Sequence, residues 1–126
     1  MLASTTAAVA ANTFNKGDVL ATARVAGIQA AKRASELLPM AHPVLVGNVY
    51  LNFTIADAHI DVEAEVDTID RPGVEMEALT AVTVAALTIY DMCKSSDRTM
   101  TIERVALWEK SGGRSGTWRR EESSQE

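Results

Sequence analysis

Four charged side chains bracket one apolar stretch of this 126-residue chain. Glu75 and Glu77 stand where "EMEALTAVTVAALTIYDMCK" begins, and Asp91 and Lys94 stand where it ends. Carboxylates and amines exchange protons and hold anions, so chemistry is sought at them first. Asp91 and Lys94 are spaced i,i+3 and share one face of any helix formed there. On a solvated face such a pair contributes well under ~1 kcal/mol and need do nothing more. Glu77 and Asp91 lie close to four turns apart and point roughly the same way, about 21 Å from each other along a helix axis. They therefore cannot grip one small reacting centre within a single protomer. Either they serve different tasks or a neighbouring subunit brings the opposite end close. Glu75 and Glu77 point to opposite sides of a regular helix, which disfavours a paired-carboxylate dyad.

Cations elsewhere extend the set. Lys16 precedes "GDV", and with Arg24, Lys94, Lys110 and Arg114 it offers the makings of an anion site. A lysine crowded by other cations, or desolvated, has a lowered pKa and serves as an acid or base. Taken singly, each reads as a solvated side chain. "KSGGRSG" lacks the spacing of a phosphate-binding P-loop. His42 sits between Pro39 and Pro43, where a lone imidazole is usually structural or exposed. His59 shares a strand face with Asp61, Glu63, Glu65 and Asp67 and reads as a surface imidazole beside acids. Cys93, in the apolar stretch, reads as a small core residue.

These residues need elements to position them. Leu20, Ala23, Gly27, Ala30, Ala31, Ala34 and Leu38 recur at spacings of three and four, predicting a helix from Asp18 to Leu38 with one close-packing face. Asp18 is its expected N-cap, and Pro39 its stop. Val49, Leu51, Phe53 and Ile55 alternate with polar residues, and after "ADA" so do Ile60, Val62, Ala64 and Val66. That predicts an antiparallel hairpin with one buried face. Gly73 opens the second helix, apolar on nearly every side from Ala78 to Tyr90. A helix apolar all round must be covered all round, so subunit contacts are expected to supply part of the cover. "MTIERVALWE" predicts a last strand whose parity shifts between Ile102 and Val105, as at a bulge. Residues 1–15 read as a frayed or truncated N-terminal tail, 16–110 as one domain, and 111–126 as a Gly/Ser-rich loop and charged tail. The order predicts an α+β fold, with helices on one face of an antiparallel sheet.

Composition narrows the partners. The chain is 47% apolar but only 5% aromatic, so its core is built from aliphatic and small side chains. Twelve basic residues against seventeen acidic ones give a net charge of −5. That balance argues against dedicated nucleic-acid or membrane binding, while leaving room for a local basic pocket. One cysteine excludes an internal disulfide framework and suits a reducing, cytoplasmic setting. With two distant histidines it spells no zinc site. No run of about 18 uncharged apolar residues is present to span a membrane.

Together, "KGDVLATARVAGIQAAKR", the "HP" after "LLPMA", "GVEMEALTAVTVAALTIYDMCK" and "KSGGRSG" closely resemble the molybdenum-cofactor biosynthesis protein C family, the cyclic pyranopterin monophosphate synthases. The likeness runs from about Lys16 to Gly116, and its long middle segment is highly specific. The resemblance implies a ferredoxin-like fold, a homohexamer built as a trimer of dimers, and active sites at subunit interfaces. It implies a lyase that converts 3′,8-cyclo-7,8-dihydroguanosine 5′-triphosphate into cyclic pyranopterin monophosphate and pyrophosphate, with no metal or organic cofactor. By motif, Asp91 takes the family's active-site acid/base position, and Lys16 and Lys94 its catalytic lysines. Met40, Ala41, His42, Met76 and Glu77 match substrate-contacting positions, and Glu75 and Lys110 further pocket residues. Lysines tuned by Asp91 would move protons near neutral pH. Three departures stand out. Ala41 replaces the family's usual Cys before His-Pro, and Ile69-Asp70-Arg71-Pro72 replaces Thr-Gly-(Lys/Arg)-Thr. No "MVDVS"-like segment is recognisable near the start. A divergent paralogue that binds nucleotide or a partner protein without efficient catalysis is the alternative these departures favour.

Overall fold

In a computed structural model of the chain, residues 1–69, 73–112 and 116–121 are described. The elements run α1 (Ala3–Ala11), α2 (Val19–Lys32), α3 (Ala34–Leu37), β1 (Val46–Ile55), β2 (Ile60–Thr68), α4 (Glu75–Cys93), β3 (Glu109–Lys110) and β4 (Trp118–Arg119). The fold is α+β, with helices against one face of a small antiparallel sheet, consistent with a ferredoxin-like pattern.

The hairpin forms as its alternation dictates. β1 and β2 pair antiparallel from Ile55↔Ile60 to Val49↔Val66, with a register irregularity between Val46 and Val49. Val49, Leu51, Phe53 and Ile55 turn toward the helices with Ile60, Val62, Ala64 and Val66, while the intervening polar residues face out. The core beneath is made of Val19, Ala23, Ala31, Leu51, Ala81, Ala85, Ile89, Met92 and Cys93.

The small-residue face of α2 lies against α4. A Cβ added at Gly27 would stand 3.1 Å from the Ala81 carbonyl oxygen and 3.1 Å from Leu51 Cγ, so glycine is what lets the two backbones approach. Lys16 meets Asp91 and Gly27 meets Ala81, so α2 and α4 run antiparallel. Asp18 caps α2 as expected, its side chain accepting from the Ala21 N–H at 3.0 Å.

Four expectations are corrected. Residues 1–15 are no frayed tail: α1 buries Thr5, Thr6 and Val9, and is tied down by Leu2 N–H to Asp97 Oδ2 at 2.7 Å and Thr6 Oγ1–H to the Asp57 carbonyl at 2.8 Å. Its contacts are tertiary and its side chains small, so no apolar stripe announces it. The helix predicted to Leu38 breaks at Arg33, whose φ of −112° and ψ of 11° leave the α region, and α3 restarts it for one turn. Residues 101–108 form no ladder. Arg104 has a φ of 56°, which interrupts the extended run, and Ile102 and Val105 stay exposed. Part of the expected C-terminal tail is ordered instead, since β4 pairs back onto β3.

By length and composition α4 is apolar enough to cross a membrane, its charges being confined to its ends. Here it packs along α2 and the sheet, with Ala81, Ala85 and Ile89 buried and Leu87 left half exposed.

Candidate functional site

The C-terminal end of α4 gathers three of the predicted residues. Lys94 Nζ stands 2.8 Å from Asp91 Oδ1, one helical turn before it. Lys16 Nζ donates to the Asp91 backbone carbonyl at 3.5 Å. Lys16 arrives there because the chain turns sharply between α1 and α2: Gly17 N–H donates to the Phe14 carbonyl, and Gly17 adopts a φ of 116°, which suits only glycine. Both cations also lie where the carbonyl end of α4 favours positive charge.

A cleft of about 500 Å³ opens beside this cluster, between α1 and the end of α4. Lys16, Met92, Ser95, Ser96, Thr13 and Asn15 contribute to its wall. The hydroxyls and the amide were not singled out by sequence. Their only signal was proximity to Lys16 and Lys94, and isolated Ser, Thr and Asn carry no spacing rule.

The Asp91–Lys94 pair polarises both members away from neutrality. The hydrogen bond and charge of Lys94 hold the Asp91 carboxyl below its usual range, with a smaller contribution from Lys16. Reciprocally, the Asp91 hydrogen bond and charge push the Lys94 ammonium above its usual range. Lys94 therefore rests as an ammonium and Asp91 as a carboxylate. This corrects the expectation that Asp91 tunes Lys94 toward neutral pH, because a neighbouring anion stabilises the charged amine.

The other end of α4 holds a second group. Lys110 Nζ, on β3, pairs with Glu75 Oε2 at 2.9 Å. Glu77 is only 4% exposed, and among the described residues none hydrogen-bonds its carboxylate. Met76, 41% exposed, faces outward. Met40, Ala41 and His42 occupy the connection between α3 and β1, with Met40 90% exposed and His42 exposed. Because α2 and α4 are antiparallel, α3 and this connection fall toward the Glu75 end.

The ten predicted residues thus fall into two groups at opposite ends of one helix, about 21 Å apart. Within one protomer they do not converge. Arg24 joins neither group: its Nε donates to the Leu51 carbonyl at 3.2 Å and its guanidinium covers Phe53. Arg114 and the Asp70–Pro72 departure lie outside the described residues. His59 pairs with Asp61 at 3.5 Å on the surface, and Cys93 is fully buried, as expected. Among the described residues no three His, Cys, Asp or Glu side chains cluster as metal ligands.

Comparison with known proteins places these residues in a family. The MoaC family model matches residues 1–113. A protein of Thermomicrobium roseum named cyclic pyranopterin monophosphate synthase is 61% identical over 109 residues, covering 85% of this chain and 66% of that one. Proteins of the same name from Thermoanaerobacter sp. (strain X514) and Listeria monocytogenes serotype 4a (strain HCC23) are 55% and 52% identical. These alignments cover 86% and 93% of this chain, and 70% and 74% of the relatives. The chain spans about two thirds of the length of the curated relatives it matches.

Proposed function

This chain belongs to the MoaC family, and from that premise we propose that it acts as a cyclic pyranopterin monophosphate synthase in molybdenum cofactor biosynthesis. The observation that carries the reading is the meeting of Lys16, Asp91 and Lys94 beside an open cleft. The reaction converts 3′,8-cyclo-7,8-dihydroguanosine 5′-triphosphate into cyclic pyranopterin monophosphate and pyrophosphate, as a lyase without metal or organic cofactor.

The ionisation states suggest how the labour divides. Opening and recyclising the purine-derived ring needs protons taken from and returned to nitrogen and oxygen atoms. Asp91, an anion at rest, is the acceptor. Lys94, an ammonium at rest, donates a proton to a ring nitrogen or oxygen, is left as the neutral amine, and serves as a cation again once reprotonated. Expulsion of pyrophosphate builds negative charge, which Lys16 and Lys94 are placed to stabilise. Glu77, 4% exposed and without a hydrogen-bond donor among the described residues, would accept a ring N–H of the substrate. Glu75, Met76, Lys110, Met40, Ala41 and His42 complete the substrate-binding set.

Two groups about 21 Å apart suit one extended nucleotide only if different protomers supply them. We therefore read the enzyme as a homo-oligomer, a hexamer arranged as a trimer of dimers, with each site built across an interface. The exposed Leu87 and Met76 on α4 support this, since apolar side chains along one helix face want cover.

The deciding experiment incubates purified protein with the cyclised triphosphate and follows pyrophosphate and pterin product. Turnover is expected, and inactivity where another family member works would sink the reading. Ala41, in place of a thiol, favours the second reading, a paralogue that binds without catalysis. Tight substrate binding with no product would support it.

A further inference from the structure

The β3–β4 ribbon is two residues long on each side, and a pairing this short has little stability of its own in water. Its register places Glu109 opposite Arg119 and Lys110 opposite Trp118. Directly opposed residues project to the same face, so Glu109 and Arg119 share one side, where they pair at 3.3 Å. Lys110 and Trp118 share the other. Continuing the alternation by one residue puts Trp108 and Arg120 on the Lys110 side as well.

On that side Arg120 bridges the strands. Its guanidinium carbon lies 5.6 Å from the Trp108 ring centre and 5.7 Å from that of Trp118. Its Nε–H donates to the Leu107 carbonyl at 2.8 Å, and its backbone N–H donates to the Trp108 carbonyl at 2.8 Å. Both indoles are about half exposed, so burial alone does not hold them in place. A guanidinium over two ring faces, with its own hydrogen bond, does. Among the described residues, the Lys110–Glu75 pair is the one ion pair joining this ribbon to α4.

We propose that Arg120, stacked between Trp108 and Trp118, is a positioning residue that closes the ribbon and so holds Lys110 against Glu75 at the substrate pocket. The functional half of this statement rests on Lys110 being a substrate-binding residue. The structural half stands by itself, and the two are tested separately.

Trace acetylation, read by mass spectrometry, compares Lys110 with Lys94 in the same sample. Arg120→Ala is expected to raise Lys110 labelling about fivefold relative to Lys94, as the ribbon loosens. Arg120→Lys keeps a cation over the rings without the fork and should recover part of the protection. Indole emission should shift in Arg120→Ala, reporting the loss of the stacked cation. Unchanged labelling of Lys110 overturns the latch. In turnover assays Arg120→Ala should raise KM about fivefold with kcat nearly unchanged, and should add nothing in a Lys110→Ala background. Additive effects in the double variant overturn the claim that Arg120 acts through Lys110. Increased labelling with an unchanged KM upholds the latch and overturns Lys110 as a substrate contact.

Discussion

The two ends of α4 carry the same kinds of residue and treat them differently. At the C-terminal end Asp91 and Lys94 are 62% and 56% exposed, paired at 2.8 Å, with Lys16 near and a cleft alongside. At the N-terminal end Glu75 and Lys110 are about a third exposed, and Glu77 is sunk into the protein. An ion pair open to water can trade its partner for an incoming ligand at little cost. A side chain as closely packed as that of Glu77 moves little, so its carboxylate selects what it accepts by position. Under the proposed function, the first end moves protons and the second recognises the substrate.

The sharpest way to break this comparison is substitution at the open end. Lys94→Ala or Asp91→Ala should lower turnover by about 10²–10⁴-fold, as loss of a positioned acid or base does, with the fold intact. Near-normal rates in both would remove the distinction between the two ends. The melting temperature should barely move, because an exposed pair adds little stability.

A next test acts on the frame that both ends share. Gly27→Ala forces a methyl group against Ala81 and Leu51, and overpacking of this kind costs about 1–3 kcal/mol. Thermal unfolding should show it, and activity should fall because α2 and α4 separate. An unshifted transition would mean that the helices are not in such close contact.

Smaller effects are expected from the recognition end. Glu77→Gln keeps the shape but loses the charge, and should weaken substrate binding about tenfold while leaving kcat nearly unchanged, as read in a KM-against-kcat comparison. A fall in kcat alone would move Glu77 to the proton-transfer group.

The pH dependence gives the finest discrimination. Asp91 is shifted down and Lys94 up, so neither changes charge in the neutral range. Any limb of the rate profile near neutrality should therefore survive, unmoved, in Asp91→Asn with its residual activity. Asp97 offers a stability counterpart. The Leu2 N–H holds its carboxyl below the ordinary value of 3.8, against the opposing effect of desolvation. With a folded-state pKa depressed, its contribution is complete above the ordinary carboxylate range and is lost as pH falls through the depressed value. Asp97→Asn should cost a few degrees of melting temperature near neutral pH and less in strong acid. An equal loss at both pH values would show that the charge is not what counts.

Much of this arrangement was legible in the residues. Period-two alternation from Val49 to Val66 gave the hairpin and its buried face, and the Ala/Gly spacing of residues 20–34 gave the close helix pair, because both patterns state directly which side is dry. The separation of Glu77 from Asp91 was also readable, since helix rise is nearly constant. The first fifteen residues were not, because Ala and Thr pack without an apolar signature. The 101–108 segment misled in the other direction. Its side chains suit a strand, but a ladder needs a partner, and Arg104 turns the backbone away. Of the cations that meet Asp91, Lys94 followed from local spacing, whereas Lys16 depended on a turn at Gly17, and Arg24 was drawn instead to Phe53.

Cys93 has one further consequence. It is the sole thiol of the chain, fully buried at the C-terminal end of α4 beside Lys94, and burial, then the charge of Asp97, push it up so that it rests as the unreactive thiol. Asp97 is also the anchor that Leu2 grips to keep α1 in place. A thiol reagent can therefore reach this sulfur only when the packing around it opens. The rate at which it is labelled becomes a clock for that opening, read without touching any residue of the site.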